Sequence, residues 1–368
     1  MRRSSPSLGP LGAKPSVGAP VALVIVLSLL AGAPVALGAE APPVSPQAPS
    51  SPSAVAPATP VGGRIELMLQ EVGGSPPFAL VGGRIVVRGT VTPYVAGQTV
   101  RLSVYREGRK VEVRTVSVLA GRSASAAGQF LFGFQSRLPG LVQVRAAHYA
   151  TAQQAAFSGR APGVRFVNPN IGPGAEGQSV RLLQSELYVL HYSVPLSGVF
   201  EEGTGRALVA YRKMTGLERV PAAGRVVFEL LERGAGSFHV RYRQDGRHVE
   251  ADLTKQVLAE IEPGGRVAAI YTMSSGKPST PTVIGHFQVY LKTPGVNSEG
   301  MVDSNYFIRG YAIHGYDEVP TYAASHGCLR VPIPDAPAIY AWVRTGTSVD
   351  VYEEGAGGSR VVRGDAGP

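Results

Sequence analysis

Cysteine is nearly absent: the 368 residues contain one, Cys328. A lone thiol has no internal disulfide to make, and zinc sites built from cysteine pairs are excluded with it. In an oxidising compartment an idle exposed thiol is a liability, which favours a reactive role. Lysine is scarce too: Lys14, Lys110, Lys213, Lys255, Lys277 and Lys292 are the six among 35 basic residues, leaving 29 arginines. The net charge of +9 suits an anionic polymer. The arginines are scattered, with no basic run of five and no interleaved aromatic stripe, which sets nucleic acid aside as a partner. No uninterrupted apolar run reaches the ~20 residues needed to span a bilayer.

What is abundant is glycine and proline, 46 and 30 residues, which point to turns, linkers and β structure. The length predicts two or three domains. Arg2, Arg3 and Lys14 precede an apolar run, Val21 to Ala33, followed by the small residues Ala36-Leu37-Gly38-Ala39. That order is expected of a secretory signal over residues 1–39, with an uncleaved anchor, a membrane tether through residues 21–37, as the alternative. Either places the remaining chain outside the cytoplasmic membrane, in the cell envelope. Residues 40–60, almost wholly Ala, Pro, Ser and Val, read as a disordered linker, and 353–368 as a disordered tail.

Three folded segments follow, and the fold class expected is multidomain and mainly β. Residues 61–162 alternate in period two, as in Val100, Leu102 and Val104 against Arg101, Ser103 and Tyr105. Seven short strands, near 65–70, 85–92, 100–106, 111–118, 129–134, 141–148 and 153–157, predict an immunoglobulin-like sandwich whose partner the sequence does not name. Residues 168–232 change to helical spacing, with Val180, Leu183, Leu187 and Leu190 on one face and Ala207, Leu208 and Tyr211 on another. Thr204 is the expected N-cap of the second helical run. Residues 247–352 return to β alternation, with a short helix over Asp335 to Val343 behind Pro334.

The chemistry concentrates late in the chain. A thiol needs a base, and an imidazole can take its proton and stabilise the thiolate as an ion pair. His326 stands two residues before Cys328 and faces it only in a regular strand; His314 ends the apolar strand Tyr311-Ala312-Ile313 and is the better base. Gly327 lets the backbone approach a substrate carbonyl, and its N–H with that of Cys328 suits an oxyanion hole. A zinc site from His314, His326 and Cys328 lacks a fourth ligand.

Two resemblances follow. Gly174-x-x-Gly177-x-x-Val180-x-x-Leu183-Gln184-x-x-Leu187, then Leu190-His191-Tyr192, Gly198-x-Phe200, Thr204 and Gly216-Leu217, resembles the small helical peptidoglycan-binding domain. It departs at His191, where that family has Gly, and at Tyr211-Arg212 in place of Phe-Gln. His314-Gly315 with Ser325-His326-Gly327-Cys328-Leu329-Arg330 resembles the signature of the L,D-transpeptidase (YkuD-like) catalytic domain, supported by Gly276-Lys277-Pro278-Ser279-Thr280-Pro281-Thr282, Gly285-x-Phe287 and Pro332 to Trp342. The strand before the histidine departs, reading Met301-Val302-Asp303 where many relatives begin Met-Pro-Tyr.

The second resemblance implies an exported acyltransferase that binds peptidoglycan stem peptides and glycan. Cys328 would attack the carbonyl of the third residue of a stem tetrapeptide and release D-Ala, with His314 moving the proton. The acyl group would pass to the amine of another stem, giving a 3→3 cross-link. Arg330 would shape the cleft, Tyr306 and Tyr311 would line it, and Ser325 and His326 join them as candidate substrate-binding residues. No metal or organic cofactor is called for. D-amino-acid exchange, protein attachment and hydrolysis share the same acyl-enzyme. The rival of another class is a non-catalytic wall-binding scaffold, from which an activated thiol, labelled well below pH 8, would distinguish an enzyme.

Overall fold

The computed structural model describes residues 59–354 apart from 71, 75 and 122–126. The expected signal or tether, most of the 40–60 linker and nearly all of the tail lie outside the described residues. Among the described residues no helix is long and apolar enough to cross a membrane.

The first part holds ten strands among the described residues: β1 (Arg64–Gln70), β2 (Phe78–Leu80), β3 (Arg84–Thr92), β4 (Thr99–Arg106), β5 (Arg109–Ser117), β6 (Leu119–Ala120), β7 (Gly128–Gln135), β8 (Gly140–His148), β9 (Phe157–Arg160) and β10 (Val164–Val167). One sheet runs β1-β3-β7-β6 and the other β2-β10-β8-β4-β5, with β9 on β8. This is the strand partition of an immunoglobulin-like sandwich, and β2 pairs parallel to β10 at its edge. Period-two burial explains it: Val100, Leu102 and Val104 are fully buried and meet Ile85, Val87, Phe130 and Val144 in one core. Four points differ from the sequence reading, one being the two-residue strand β6. Strand β2 has three residues, too few to show alternation, and the strand expected at 153–157 lies at 157–160. Strand β10 extends the sandwich to Val167.

Three helices follow, α1 (Gln178–Val189), α2 (Glu202–Met214) and α3 (Arg225–Glu232). Val180, Leu183, Leu187, Ala207, Leu208 and Tyr211 are buried as the helical spacing predicts, while Leu190 is only partly so. Thr204 does not cap α2: Glu201 is the N-cap residue. Thr204 lies buried in the first turn, where its Oγ1 accepts from Gln184 Nε2 at 2.8 Å. The amide of Gln184, itself buried, thereby finds partners that also include Val199 O and Gly198 N. His191 follows the end of α1 with φ of 68°, the left-handed conformation that ends many helices and that glycine adopts without strain.

The helices share their core with both neighbours. Phe228 meets Phe78 edge-on, with ring centroids 6.2 Å apart. On the other side α2 packs on β12 (Val257–Glu262) and β13 (Arg266–Thr272), which follow β11 (His248–Asp252), through Val257, Ala259, Ile261 and Ile270. The fold continues with β14 (Gly285–Gln288), β15 (Leu291–Val296), β16 (Val302–Ile308), β17 (Tyr311–Tyr316), β18 (Leu329–Pro332), α4 (Ala336–Trp342) and β19 (Ser348–Tyr352). One sheet orders β13-β12-β11-β19-β14 and the other β15-β16-β17-β18. A core of Val249, Leu258, Met273, Phe287, Ile313, Leu329 and Val349 joins them. Arg206 of α2 holds Asp335, just before α4, through two hydrogen bonds of 3.1 and 3.2 Å.

Candidate active site

The site is built where β17 and β18 run in parallel. Ile313 pairs with Leu329 and His314 with Arg330. Ile313 and Leu329 point into the core, so His314 and Arg330 take the other face, since side chains alternate along a strand; Cys328 immediately precedes β18. Tyr306 pairs with Ala312 across β16 and falls on that same face, half-buried, where its hydroxyl accepts from Asn297 Nδ2 at 3.3 Å.

Cys328 is half-buried at the head of β18, with Sγ 3.7 Å from Gly310 O. Its loop is tied from two sides. Ser325 Oγ donates to Cys328 O at 2.6 Å and accepts Gly327 N–H at 3.0 Å. Across the loop, Thr282 Oγ1 donates to Gly327 O at 2.9 Å, Lys277 N to Ser325 O at 2.9 Å and Thr280 Oγ1 to Ser325 O at 3.1 Å. Gly327 has φ of 121°, and a Cβ there would stand 1.7 Å from Tyr311 Cε1. Only glycine fits, because both the backbone and the Tyr311 ring exclude a side chain.

His314 is 2% exposed, and its Nδ1 lies 2.9 Å from Gly315 O. A carbonyl can only accept, so Nδ1 carries the proton and Nε2 keeps its lone pair. Burial lowers His314 to about 4, with the nearby Arg330 charge acting in the same direction and the Gly315 bond opposing it. Burial also pushes the Cys328 thiol up, against the Ala312 backbone hydrogen bond and Arg330, which favour the thiolate. Both shifts favour a thiol and a neutral imidazole over the thiolate–imidazolium pair expected from the sequence. Desolvation decides it, and burial is not visible in a motif.

The other expected site residues divide. The Arg330 guanidinium lies 4.0 Å from the centroid of the Tyr316 ring, which meets His314 edge-on at 5.6 Å. Ser325, expected to bind substrate, is fully buried with its hydroxyl committed to the turn that holds the cysteine loop. Tyr311 packs against the core with its ring against Gly327, bracing the loop. The Gly327 N–H, expected as an oxyanion donor, is engaged by Ser325 Oγ. His326 is exposed, with Lys277 Nζ 3.2 Å from its Nε2, a cation where a metal ligand would need a free lone pair. The zinc grouping weighed at Cys328 gains nothing from that neighbour.

Sequence reasoning missed one supporting group altogether. Lys213 of α2 is 1% exposed and donates to Gln256 O at 3.0 Å, Thr272 Oγ1 at 2.7 Å and Met273 O at 2.8 Å. Burial lowers its ammonium to about 7, with the Arg219 charge adding to the shift. Met273 leads into Ser274, whose backbone pairs with Arg330 in both directions, so the helix reaches the cysteine loop in a few steps. A lysine on a helix reads as solvent-facing, and no sequence signal marks this one.

Residues 246–351 match the family model of the L,D-transpeptidase catalytic domain, YkuD. Among solved structures, an L,D-transpeptidase from Xylanimonas cellulosilytica is 32% identical, covering 50% of this chain and 98% of that one, with a TM-score of 0.46. Another, from Stackebrandtia nassauensis, is 21% identical over 50% of this chain and 95% of that one, with a TM-score of 0.33. Among curated proteins, agmatine coumaroyltransferase-1 of Hordeum vulgare is 29% identical over 153 residues, 38% of this chain. The chain spans 32% of that relative's length. By its family match, the chain carries a YkuD-type L,D-transpeptidase catalytic domain at residues 246–351, the catalytic domain of a transpeptidase enzyme.

Proposed function

We propose that the chain is an exported enzyme of the cell envelope that forms 3→3 cross-links in peptidoglycan by acyl transfer through Cys328. The observation that carries this reading is the parallel register of β17 and β18. It sets His314 beside Arg330, two residues after Cys328, with the His314 tautomer fixed by Gly315 O.

In this mechanism the Cys328 sulfur bonds to the carbonyl carbon of the third stem residue. The thiol proton passes to His314 Nε2 as the bond forms, so the ion pair exists only during reaction. The Gly315 carbonyl stabilises the imidazolium through Nδ1–H. Cys328 N–H is the oxyanion donor that the loop leaves to this role, Gly327 N–H being engaged. Collapse breaks the amide, and His314 returns the proton to the departing D-Ala amine. The amine of a second stem then attacks the thioester, giving its proton to His314 and restoring the thiol. Arg330, held over Tyr316, adds positive charge beside the developing oxyanion. The helical segment 168–232 is assigned to glycan and the sandwich 61–162 to spacing.

Mass spectrometry of purified tetrapeptide muropeptides incubated with the protein tests this. Loss of D-Ala with a 3→3 dimer is expected, and neither product should form with Cys328→Ala. Products surviving that substitution would end the nucleophile assignment. The burial that pushes the Cys328 thiol up favours a second reading, a wall-binding scaffold with an idle catalytic domain. It predicts wall binding with no D-Ala release.

A further inference from the structure

We propose that Asp245, His286 and Asp350 form a site for a divalent transition-metal cation of the class of Zn²⁺, which fastens the segment between α3 and β11 to the catalytic sheet. This inference is independent of the acyl-transfer reading and concerns the other sheet of the catalytic region, β13-β12-β11-β19-β14.

Strand β19 pairs with β11 at Glu250↔Asp350 and with β14 at His286↔Asp350, so three polar side chains form one row across the sheet. Their neighbours Val249, Phe287 and Val349 point into the core, which puts the row on the far face. The segment after α3 crosses that face. Arg241 N and Tyr242 N donate to the Glu250 carboxylate at 2.9 and 2.8 Å, and the Tyr242 ring meets His286 edge-on at 4.7 Å. Glu250 is thus well supplied, with His248 Nε2 a further 3.2 Å away.

Asp350 is not. Its side chain is 1% exposed, and Oδ1 takes His286 Nδ1 at 2.7 Å. Oδ2 is buried with no hydrogen-bond partner among the described residues. A buried carboxylate oxygen left unpaired is costly. The crossing segment brings Asp245 to the same point: one ligand atom from each of Asp245, His286 and Asp350 lies within 4.8 Å of the other two. A cation there satisfies the unpaired oxygen and offsets the crowded carboxylates.

The donor set selects the ion. One imidazole nitrogen and two carboxylate oxygens suit Zn²⁺ at roughly 2.0–2.2 Å. Ca²⁺ and Mg²⁺ take all-oxygen shells and gain little from histidine. Asp245 and His286 are exposed, which leaves water access to a fourth position. The reaction at Cys328 needs no such ion; its role here is to lock the segment leading from the helices into the catalytic sheet.

The test is calorimetric titration of ZnCl₂ into the untagged full chain carrying Cys328→Ser, so that no thiol competes, after chelator treatment and dialysis. One Zn²⁺ per chain is expected, with no heat from CaCl₂ or MgCl₂ at the same concentration. Asp245→Asn and His286→Ala change exposed residues and should fold; each should weaken Zn²⁺ by more than the roughly 10–100-fold that loss of an outer-shell partner costs. Zn²⁺ should also raise the melting temperature of the parent and not of His286→Ala. Absence of binding in folded Cys328→Ser protein, or binding unchanged by both substitutions, would overturn the proposal.

Discussion

The N-terminal sandwich and the catalytic β domain are woven from strands of the same alternating pattern, yet their interiors differ. Buried polar side chains in the sandwich are few: Gln98, Ser136, His148 and Gln154. From His248 onward they crowd the interior, among them Glu250, Glu260, Ser274, Ser304, His314, Ser325 and Asp350. A buried polar group costs free energy unless it is hydrogen-bonded, so one region is organised for packing and the other for holding groups in place. The cysteine loop illustrates the second kind. Its geometry is set by Ser325, Thr282 and Lys277, while apolar burial lies one layer beneath in Ile313 and Leu329.

Substitutions can separate these two kinds of interior. The largest effect is expected from Cys328→Ala: complete loss of muropeptide cross-linking, with the thermal midpoint of the sandwich unchanged, read by mass spectrometry and calorimetry together. His314→Ala should slow acylation of Cys328 by about 10²–10⁴, the range for a lost general base. An unchanged single-turnover rate would remove His314 from that role. Leu102→Ala reverses the pattern. It empties a fully buried position in the sandwich and should cost about 2–5 kcal/mol in denaturant unfolding, with acylation per folded molecule unaltered. The smallest effect lies at the joint between regions. His191→Gly relieves a left-handed conformation and should stabilise the chain by about 1 kcal/mol; a loss of stability would mean that His191 makes contacts worth more than its strain.

Much of this was legible beforehand, for identifiable reasons. Alternation at Val100, Leu102 and Val104 and helical spacing at Val180, Leu183 and Leu187 report which side faces the interior, and the burial agrees. The helix expected over Asp335 to Val343 spans Ala336–Trp342. Cys328 and His314 stood out because a single thiol leaves few choices. What was not legible depends on tertiary burial. The protonation states of Cys328 and His314 follow from desolvation, the fate of Ser325 from a turn that consumes its hydroxyl, and the burial of Lys213 from a helix packed on β13. Asp245, His286 and Asp350 are far apart along the chain and meet only through the pairing of β14 with β19 and the segment that crosses it.

The pH dependence of acyl-enzyme formation, followed by intact-protein mass after mixing with a tetrapeptide substrate, tests the account at its centre. A base buried in its neutral form binds its proton only below the pKa that burial imposes. The rate should therefore hold as pH falls through the ordinary histidine value of 6.5 and fail near pH 4, with the adduct mapping to Cys328. An adduct on any other residue, or an acid limb near 6.5, would contradict it.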